Sequence, residues 1–182
     1  MKNKKSPSVI AIAGVSGGGK TTIANRLSDR LPNSSVLFFD NYDFEGPNDM
    51  IGWVDRGSVY EEWNLSPLII DLEGLLQDNF DYIVLDYPFS YNHSQLRSYI
   101  DFTVFIDTPL DIAMARRILR DFHNSSTEII MKEMDNYLLQ GRRGYLEMLK
   151  TIKPNSELIV DGSQAVATLV EEIYHKTING KI

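Results

Sequence analysis

The 182-residue chain contains no cysteine, which excludes disulfide bonds, thiolate nucleophiles and cysteine-ligated metal sites. It has only three histidines, and their scattered positions lack metal-ligand spacing. We therefore expect His93, His123 and His175 at the surface or at helix ends. No apolar run approaches the roughly 20 residues that a membrane-spanning helix needs, and no signal-like apolar segment precedes the first strand. These absences predict a cytoplasmic protein that does not bind membranes.

Positive charge is also scarce. Lysine and arginine total 18 against 25 aspartates and glutamates, which gives a net charge of −7. This balance argues against a broad basic surface for nucleic acid or anionic lipid, so a small molecule is the expected partner. The length and the 43% hydrophobic content suffice for one substantial core, so we expect a single domain over residues 1–182. An oligomer is possible, but no sequence feature indicates one.

Short apolar runs alternate with helical patterns along the chain. The pattern predicts strands at 8–13, 35–40, 82–86, 102–107 and 157–160. It predicts helices at 20–31, 67–77, 109–122 and 164–178, the last capped by Ser163, and a longer helical region at 127–150 interrupted near Gly141 and Gly144. Such alternation is typical of an α/β fold in which helices cover both faces of a mostly parallel sheet.

The most specific motif is GVSGGGKT at residues 14–21, which follows the first apolar run directly and matches the pattern G-x-x-x-x-G-K-[ST]. Its glycines let consecutive backbone N–H groups turn inward and form, with the next helix, a nest for phosphate. We expect Lys20 to neutralise the β- and γ-phosphates and Thr21 to bind Mg²⁺. The motif thus predicts nucleoside triphosphate binding by Gly14, Ser16, Gly17, Gly18, Gly19, Lys20, Thr21 and Thr22.

Three aspartates end predicted strands at the sheet edge where ligands bind in such folds. Asp86, after an apolar run, is predicted to hold Mg²⁺ or its water. Asp107 precedes Thr-Pro, so support of the next helix is favoured over a place in the metal shell. Asp40 would lie between the phosphates and an acceptor, where a base could take a hydroxyl proton. A place in the metal shell, or a plain turn at the strand end, are the alternatives for Asp40.

Residues 41–64 form a long connection that is rich in aromatic residues and is neither helical nor alternating in pattern. A connection of this length is uncommon in a compact domain unless it binds or covers something. It is therefore predicted to bind the acceptor, with ordinary packing as the alternative. Its candidate contacts are Tyr42, Trp53, Asp55, Tyr60, Glu61 and Glu62.

Arginines cluster at the end of the helix predicted over 109–122, before the polar stretch 123–126. Arg116 and Arg120 share a helix face, where they would repel each other unless an anion such as a triphosphate approached. The pattern predicts a lid over residues 116–127. A solvated surface, with Arg117 paired to Asp121, is the alternative. The role of Arg142 and Arg143 is left undecided between a further cationic contact and a plain surface position.

These segments together resemble the uridine kinase and nicotinamide riboside kinase family of P-loop kinases, nearly end to end. The resemblance lies in residues 14–22, 31–42, 105–108, 116–121 and 158–162. It implies a three-layer fold whose five-stranded parallel sheet has the order 2-3-1-4-5, with ATP as donor and a ribose 5′-hydroxyl as acceptor. It further implies Asp40 as the catalytic aspartate, an arginine lid formed by Arg116, Arg117 and Arg120, and a loop near adenine at Asp161 and Gly162.

The chain departs from the family pattern in two places. The family usually has Glu-Gly after its third apolar strand, whereas this chain has Asp86-Tyr87-Pro88-Phe89. Family members also place an acid against the ribose hydroxyls, and here Asp55, Glu61 and Glu62 compete for that role without a spacing that decides.

The sequence thus predicts an ATP- and Mg²⁺-dependent kinase for a small molecule, most consistent with a nucleoside or riboside. A kinase for another alcohol, such as pantothenate or a sugar, is the first alternative. A nucleotide-binding regulator that transfers nothing is the second, and it is disfavoured because a mere binder has no use for an acceptor-side base.

Overall fold

Five parallel strands form one sheet within residues 6–180, which are the residues that the computed structural model describes. The strands are β1 (Ser8–Gly14), β2 (Ser34–Phe38), β3 (Tyr82–Asp86), β4 (Phe102–Asp107) and β5 (Leu158–Asp161). Their order is β2-β3-β1-β4-β5, and every neighbouring pair is parallel. The predicted fold class and strand order are confirmed.

Helices connect the strands. They are α1 (Lys20–Arg30), α2 (Met50–Asp55), α3 (Ser66–Gln77), α4 (Ser94–Arg97), α5 (Leu110–Asp121), α6 (Thr127–Asn136), α7 (Arg142–Thr151) and α8 (Val166–Asn179). A π-helical turn, Tyr137–Gly141, joins α6 to α7, and 3₁₀ turns lie at Phe39–Asn41, Tyr60–Glu62 and Lys153–Asn155. Over the described residues no helix is both long enough and apolar enough to cross a bilayer.

The central strand β1 is buried along its whole length, and its side chains alternate between two cores. On one face, Ile10 and Ile12 pack with residues of α1 and α8, including Ile23, Leu27, Leu169 and Ile173. On the other face, Val9 and Ala11 pack with α3 and with the segment after β2, including Leu68, Leu72, Trp53 and Tyr60. Burial on both faces explains why the strands read as continuous apolar runs.

The start of α8 differs from the prediction. The helix begins at Val166, with Ala165 at its N-cap position, so the assignment of Ser163 as the cap is wrong. The Ser163 hydroxyl instead donates to Asp161 Oδ1 at 2.6 Å, and the Ser163 N–H donates to the same oxygen. Because Asp161 binds both groups, the chain makes one more turn before the helix can begin.

Two other predicted features are refined. The helical region is interrupted near Gly141 as predicted, by the π-helical turn that ends at this residue, whereas Gly144 lies inside α7 and interrupts nothing. The segment 41–64 contains a short helix, α2, which begins where Asp49 Oδ1 accepts from the N–H groups of Ile51 and Gly52. Asp40 lies on a 3₁₀ turn beyond the end of β2.

One buried hydrogen bond links the connection between β4 and α5 to the loop formed by the GVSGGGKT motif, residues 14–21, here called the phosphate-motif loop. Thr108 is 2% exposed, and its Oγ1 donates to the Gly18 carbonyl at 2.8 Å. Replacing Thr108 with valine should lower the free energy of unfolding by about 1–3 kcal/mol, because the buried carbonyl loses its donor. Urea denaturation measures this change.

Thr177→Val supplies the matched control for Thr108→Val. Thr177 is equally buried, but its hydroxyl donates to a carbonyl of its own helix, that of Ile173. That carbonyl lies within α8, so it keeps a backbone partner when the hydroxyl is removed. Equal losses in the two variants would contradict a specific role for the Thr108 bond.

Candidate active site

The loop between β1 and α1 has the backbone of an anion cradle. Gly17 and Gly19 have φ angles of 76° and 102°, a region that L-residues with side chains rarely adopt. A Cβ at Gly17 would also collide with the carbonyl oxygen of Ala113 on α5. The Gly18 N–H donates to the Val15 carbonyl at 2.9 Å, which closes the turn. Glycine is therefore required at position 17 by both conformation and close approach, and at position 19 by conformation.

Asp86, at the end of β3, meets Thr21 at the start of α1. The Thr21 hydroxyl donates to Asp86 Oδ2 at 2.6 Å. Asp86 is 3% exposed, and its other oxygen, Oδ1, is buried without a hydrogen-bond partner in the described part of the chain. Burial raises the pKa of Asp86, while the Thr21 hydrogen bond and the charge of Lys20 oppose that rise.

This pair fits a bound Mg²⁺. A buried carboxylate oxygen that lacks a donor is the kind of hard ligand that Mg²⁺ or its bound water prefers. Within residues 6–180, no group of three or more histidine, cysteine, aspartate or glutamate side chains could hold a metal by itself. The arrangement therefore suits an ion held by one or two side chains together with phosphate oxygens.

Lys20 lies near two carboxylates, those of Asp86 and Asp40. Its burial lowers the pKa of the ammonium, and the charges of Asp86 and Asp40 oppose that lowering. Its Nζ makes one long hydrogen bond, 3.3 Å to the Val15 carbonyl. An enclosed cation with so few direct bonds is well placed to bind an incoming anion.

Two cavities meet at this point. The first, about 560 Å³, is here called the polar cavity, and its lining includes residues of the loop between β1 and α1, Thr22, and Arg116 and Arg120 of α5. The second, about 580 Å³, is here called the aromatic cavity, and it lies between α2 and the α6–α7 region. Three residues line both cavities: Ser16, Lys20 and Asp40.

Aromatic rings from three segments form one wall of the aromatic cavity. The ring centroids of Tyr60 lie 5.1 Å from Phe89 and 5.2 Å from Trp53, and Phe39 lies 5.4 Å from Phe89. Trp53 Nε1 donates to the Val59 carbonyl at 2.9 Å, which fixes the indole. The segment Asp86-Tyr87-Pro88-Phe89, where the chain differs from the usual family sequence, contributes to this cavity, because Pro88 and Phe89 both line it.

The rest of the lining was not identified from the sequence. It consists of residues of α6, the π-helical turn and α7, among them Glu133, Asn136, Tyr137, Gln140, Arg143, Tyr145, Glu147 and Met148. The one sequence signal for this part of the cavity was the pair Arg142-Arg143, whose role the sequence left undecided. Helical periodicity shows which face of a helix is apolar, but it does not show that a face borders a cavity.

The predicted acceptor residues divide into two groups. Trp53 and Tyr60 line the aromatic cavity. Tyr42 lies outside it, donating its hydroxyl hydrogen to Asp71 at 2.8 Å.

The three competing acids are each engaged by the protein. Asp55 forms an ion pair with Arg143, Glu61 Oε1 accepts from the Ser94 N–H at 3.2 Å, and Glu62 pairs with Arg56 at 3.1 Å. No carboxylate of this set is among the residues that line either cavity. Their role as acceptor ligands stays a prediction that these contacts do not favour.

Two of the three arginines of α5 border the polar cavity. Arg116 Nη1 donates to the Gly162 carbonyl at 3.1 Å, and Arg120 Nη2 lies 3.5 Å from the Ser16 hydroxyl. Both line the polar cavity. Asp121 holds Arg120 at 2.6 Å, and that hydrogen bond lowers the pKa of Asp121.

Arg117 points elsewhere. It pairs with Glu133 at 2.6 Å and with Asp121 at 3.8 Å, and it lines the aromatic cavity rather than the polar one. Its predicted contact with the nucleotide stays a prediction. Asp107 pairs with Lys153 at 2.7 Å, which fits a structural role.

The remaining candidates lie at the edge of the site. Asp161 and Gly162 line neither cavity, although the Gly162 carbonyl accepts from Arg116. Their position near adenine stays a prediction. His93 is buried at the start of α4, with Nε2 3.0 Å from the Trp63 carbonyl, and the other two histidines are exposed.

No protein-family model matches the chain. The chain is 26% identical over 176 residues to a uridine kinase of Borreliella burgdorferi, a match that covers 84% of this chain and 85% of the relative. It is also 26% identical over 186 residues to a uridine kinase of Brevibacillus brevis, covering 85% and 84%. The resemblance to uridine kinases is confirmed.

A solved structure supports the same fold for this uridine kinase-like chain. The crystal structure of a proposed fructose transport system kinase from Silicibacter sp. TM1040 has a TM-score of 0.54, with 15% identity over 79% of this chain and 86% of that one. At this identity the likeness shows the fold alone. The uridine kinase relatives support a kinase that phosphorylates a small molecule, and the solved structure supports the fold of that kinase class.

Proposed function

We propose that this uridine kinase-like chain transfers the γ-phosphate of ATP, with Mg²⁺, to the 5′-hydroxyl of a nucleoside or riboside. The observation that carries the proposal is that Ser16, Lys20 and Asp40 line both cavities. A triphosphate in the polar cavity and an acceptor in the aromatic cavity would therefore meet at these three side chains. The relatives named uridine kinase support a nucleoside as the acceptor.

The donor side follows from the loop geometry. The glycine-rich cradle and the start of α1 would hold the phosphates, and Lys20 would neutralise the charge on their oxygens. Thr21 and Asp86 would hold Mg²⁺, which when bound neutralises charge on the β- and γ-phosphates. Arg116 and Arg120 would approach the same phosphates from α5.

Asp40 is proposed as the acceptor-side base. Its carboxylate has no hydrogen-bond or ion-pair partner among the described residues, and it lies where the cavities join. The acceptor oxygen would bond to the γ-phosphorus as the bond from that phosphorus to the β–γ bridging oxygen breaks. The hydroxyl proton would pass to Asp40, and ADP would leave.

The walls of the aromatic cavity favour a planar ring in the acceptor. Its lining includes five phenyl or phenol side chains, those of Phe39, Tyr60, Phe89, Tyr137 and Tyr145. Aromatic side chains in a cavity lining can stack on a nucleobase or a pyridine ring. A sugar or pantothenate would leave much of this apolar surface without a partner, which is the observation that favours ribosides over those alcohols.

An acceptor screen tests the proposal. With ATP and Mg²⁺ present, ADP release should be stimulated by at least one riboside among uridine, cytidine and nicotinamide riboside. Pantothenate and fructose should give no stimulation. Release driven only by these two alcohols, or release that no acceptor stimulates, would contradict the proposal.

The arginine lid gives a separate prediction. Arg120→Ala should lower the turnover number by about 10²-fold with a smaller change in ATP affinity, because lid contacts matter most at the transition state. Steady-state kinetics and ATP titration measure the two quantities. Arg26→Ala is the control, since Arg26 is exposed on α1 and lines neither cavity. If Arg120→Ala lowered turnover and ATP affinity equally, the arginine face of α5 would be a static surface and not a lid.

A further inference from the structure

Nothing within residues 6–180 requires the glycine at position 144. Gly144 lies inside α7, and it is not among the residues with a positive φ. A Cβ at this position would meet no atom of the described chain within 4 Å beyond the adjacent residues and its own helix backbone. Alanine would stabilise the helix better, because glycine loses more backbone freedom on folding. The absent side chain therefore needs a reason outside the packing of the chain.

Gly144 lies in the middle of the helix face that borders the aromatic cavity. Residues three and four positions apart share a helix face. The residues at these distances from Gly144 all line the cavity, as Gly144 does: Gln140, Gly141, Glu147 and Met148. A side chain at position 144 would therefore project into the cavity. Glycine leaves the backbone of α7 bare at this point, so that a ligand can approach it closely.

The next residue carries a hydrogen-bonding group that the protein does not use. Tyr145 lines the same cavity and is only 8% exposed. Its hydroxyl is buried and has no hydrogen-bond partner among the described residues. Its ring lies 5.3 Å from that of Tyr137 and packs in one cluster with Val15 and Ala113, which holds the phenol in place. A buried hydroxyl without a partner is costly, and a ligand that supplies a polar atom removes this cost.

We propose that Gly144 and Tyr145 select the ring of the acceptor. The flat ring packs against the bare backbone at Gly144, and a polar substituent of the ring forms a hydrogen bond with the Tyr145 hydroxyl. A phenol both donates and accepts, so a carbonyl, amide or amino substituent can serve. The inference rests on the proposed function and deepens it by naming the residues that distinguish one ring from another.

A glycine inside a helix can also act as a hinge, and the kinetic constants separate the two roles. A hinge in the α6–α7 region would control closure of the site, so its loss would lower turnover. A contact with the acceptor's ring lies away from the transferred phosphate and is equally strong before and during transfer. Its loss raises the KM for the acceptor and leaves kcat nearly unchanged.

The first test compares Gly144→Ala and Gly144→Val with the wild type, using a riboside that the wild type phosphorylates. Gly144→Ala should raise the KM for the riboside at least about tenfold, and Gly144→Val should raise it further, because the added bulk holds the ring away from α7. The KM for ATP and kcat should stay within about twofold of the wild type.

Gly74→Ala is the matched control for Gly144→Ala. Gly74 lies inside α3, a Cβ there would also meet nothing within 4 Å, and it lines neither cavity. This variant should keep the wild-type KM for the riboside. Both alanine variants should raise the urea midpoint, because each gains helix propensity. A raised midpoint in Gly144→Ala excludes a folding defect as the cause of its weaker acceptor binding.

The second test removes the hydroxyl of Tyr145. Tyr145→Phe should raise the KM for the same riboside about three- to tenfold through the lost hydrogen bond, with the KM for ATP unchanged. Tyr87→Phe is the control, since the hydroxyl of Tyr87 is also buried without a partner in the described chain, and Tyr87 lines neither cavity. Neither variant should lower the urea midpoint, because each loses an unpaired polar group.

The outcomes separate this inference from the proposed function. The inference alone is overturned if the wild type phosphorylates a riboside while Gly144→Ala or Tyr145→Phe keeps its KM for that riboside within about twofold. A fall in kcat of Gly144→Ala at an unchanged KM would identify a hinge and would also overturn it. A wild type that phosphorylates no riboside would overturn the proposed function together with the inference.

Discussion

Lys20→Ala is expected to lower turnover by at least about 10³-fold while leaving the fold intact. The lysine is a cation near Asp86 and Asp40 at the junction of the two cavities, where transferred charge would develop. Removing one preorganised donor from such a site costs about 10²–10³ in rate, and a full charge adds to that loss. Steady-state kinetics measures the effect, and thermal melting checks the fold.

Stability should change little in Lys20→Ala. The ammonium makes one hydrogen bond, at 3.3 Å, and burial lowers its pKa, so the folded state gains little from the charge itself. Lys132→Ala is the control, since Lys132 is exposed on α6 and lines neither cavity. Unchanged turnover together with normal melting would contradict the assignment of the phosphate-binding loop.

Asp40→Asn should reduce turnover by about 10²–10⁴-fold with the affinity for ATP nearly unchanged. The amide keeps the size of the side chain, but it cannot take the hydroxyl proton. Turnover is measured with saturating acceptor, and ATP affinity is measured by titration in its absence. The result should hold at every acceptor concentration, because the missing group acts on the chemical step and not on acceptor binding.

Asp43→Asn is a close control for the Asp40 variant. Asp43 is exposed three residues later, and it lines neither cavity. Full activity of Asp43→Asn would show that the loss of one negative charge from the segment after β2 does not by itself lower turnover. If Asp40→Asn instead lost ATP binding, Asp40 would be reassigned to the metal shell.

The sheet could be predicted because its signals are local. The strands β3 and β4 have the predicted bounds, 82–86 and 102–107, since buried parallel strands are short apolar runs that end in a polar residue. The phosphate-binding loop could be placed for the same reason. Its function depends on consecutive residues, and the glycines at 17 and 19 are needed by the backbone itself.

The aromatic cavity could not be predicted because its walls come from distant parts of the chain. The ion pair between Asp55 and Arg143 joins residues 88 positions apart, and it settles the orientation of both. The helix α2 has six residues, too few for its periodicity to be recognised. The lining residues of α6 and α7 belong to no motif, and they meet the segment after β2 only in the folded chain.

The position of the phosphate in the product tests the central claim most directly. After incubation of the wild type with ATP, Mg²⁺ and a riboside, phosphorus NMR of the product should show a monoester coupled to the two 5′-methylene protons of the ribose. Asp40→Asn should form this product far more slowly. A signal from inorganic phosphate alone, at the same rate with and without the riboside, would contradict transfer across the junction of the two cavities.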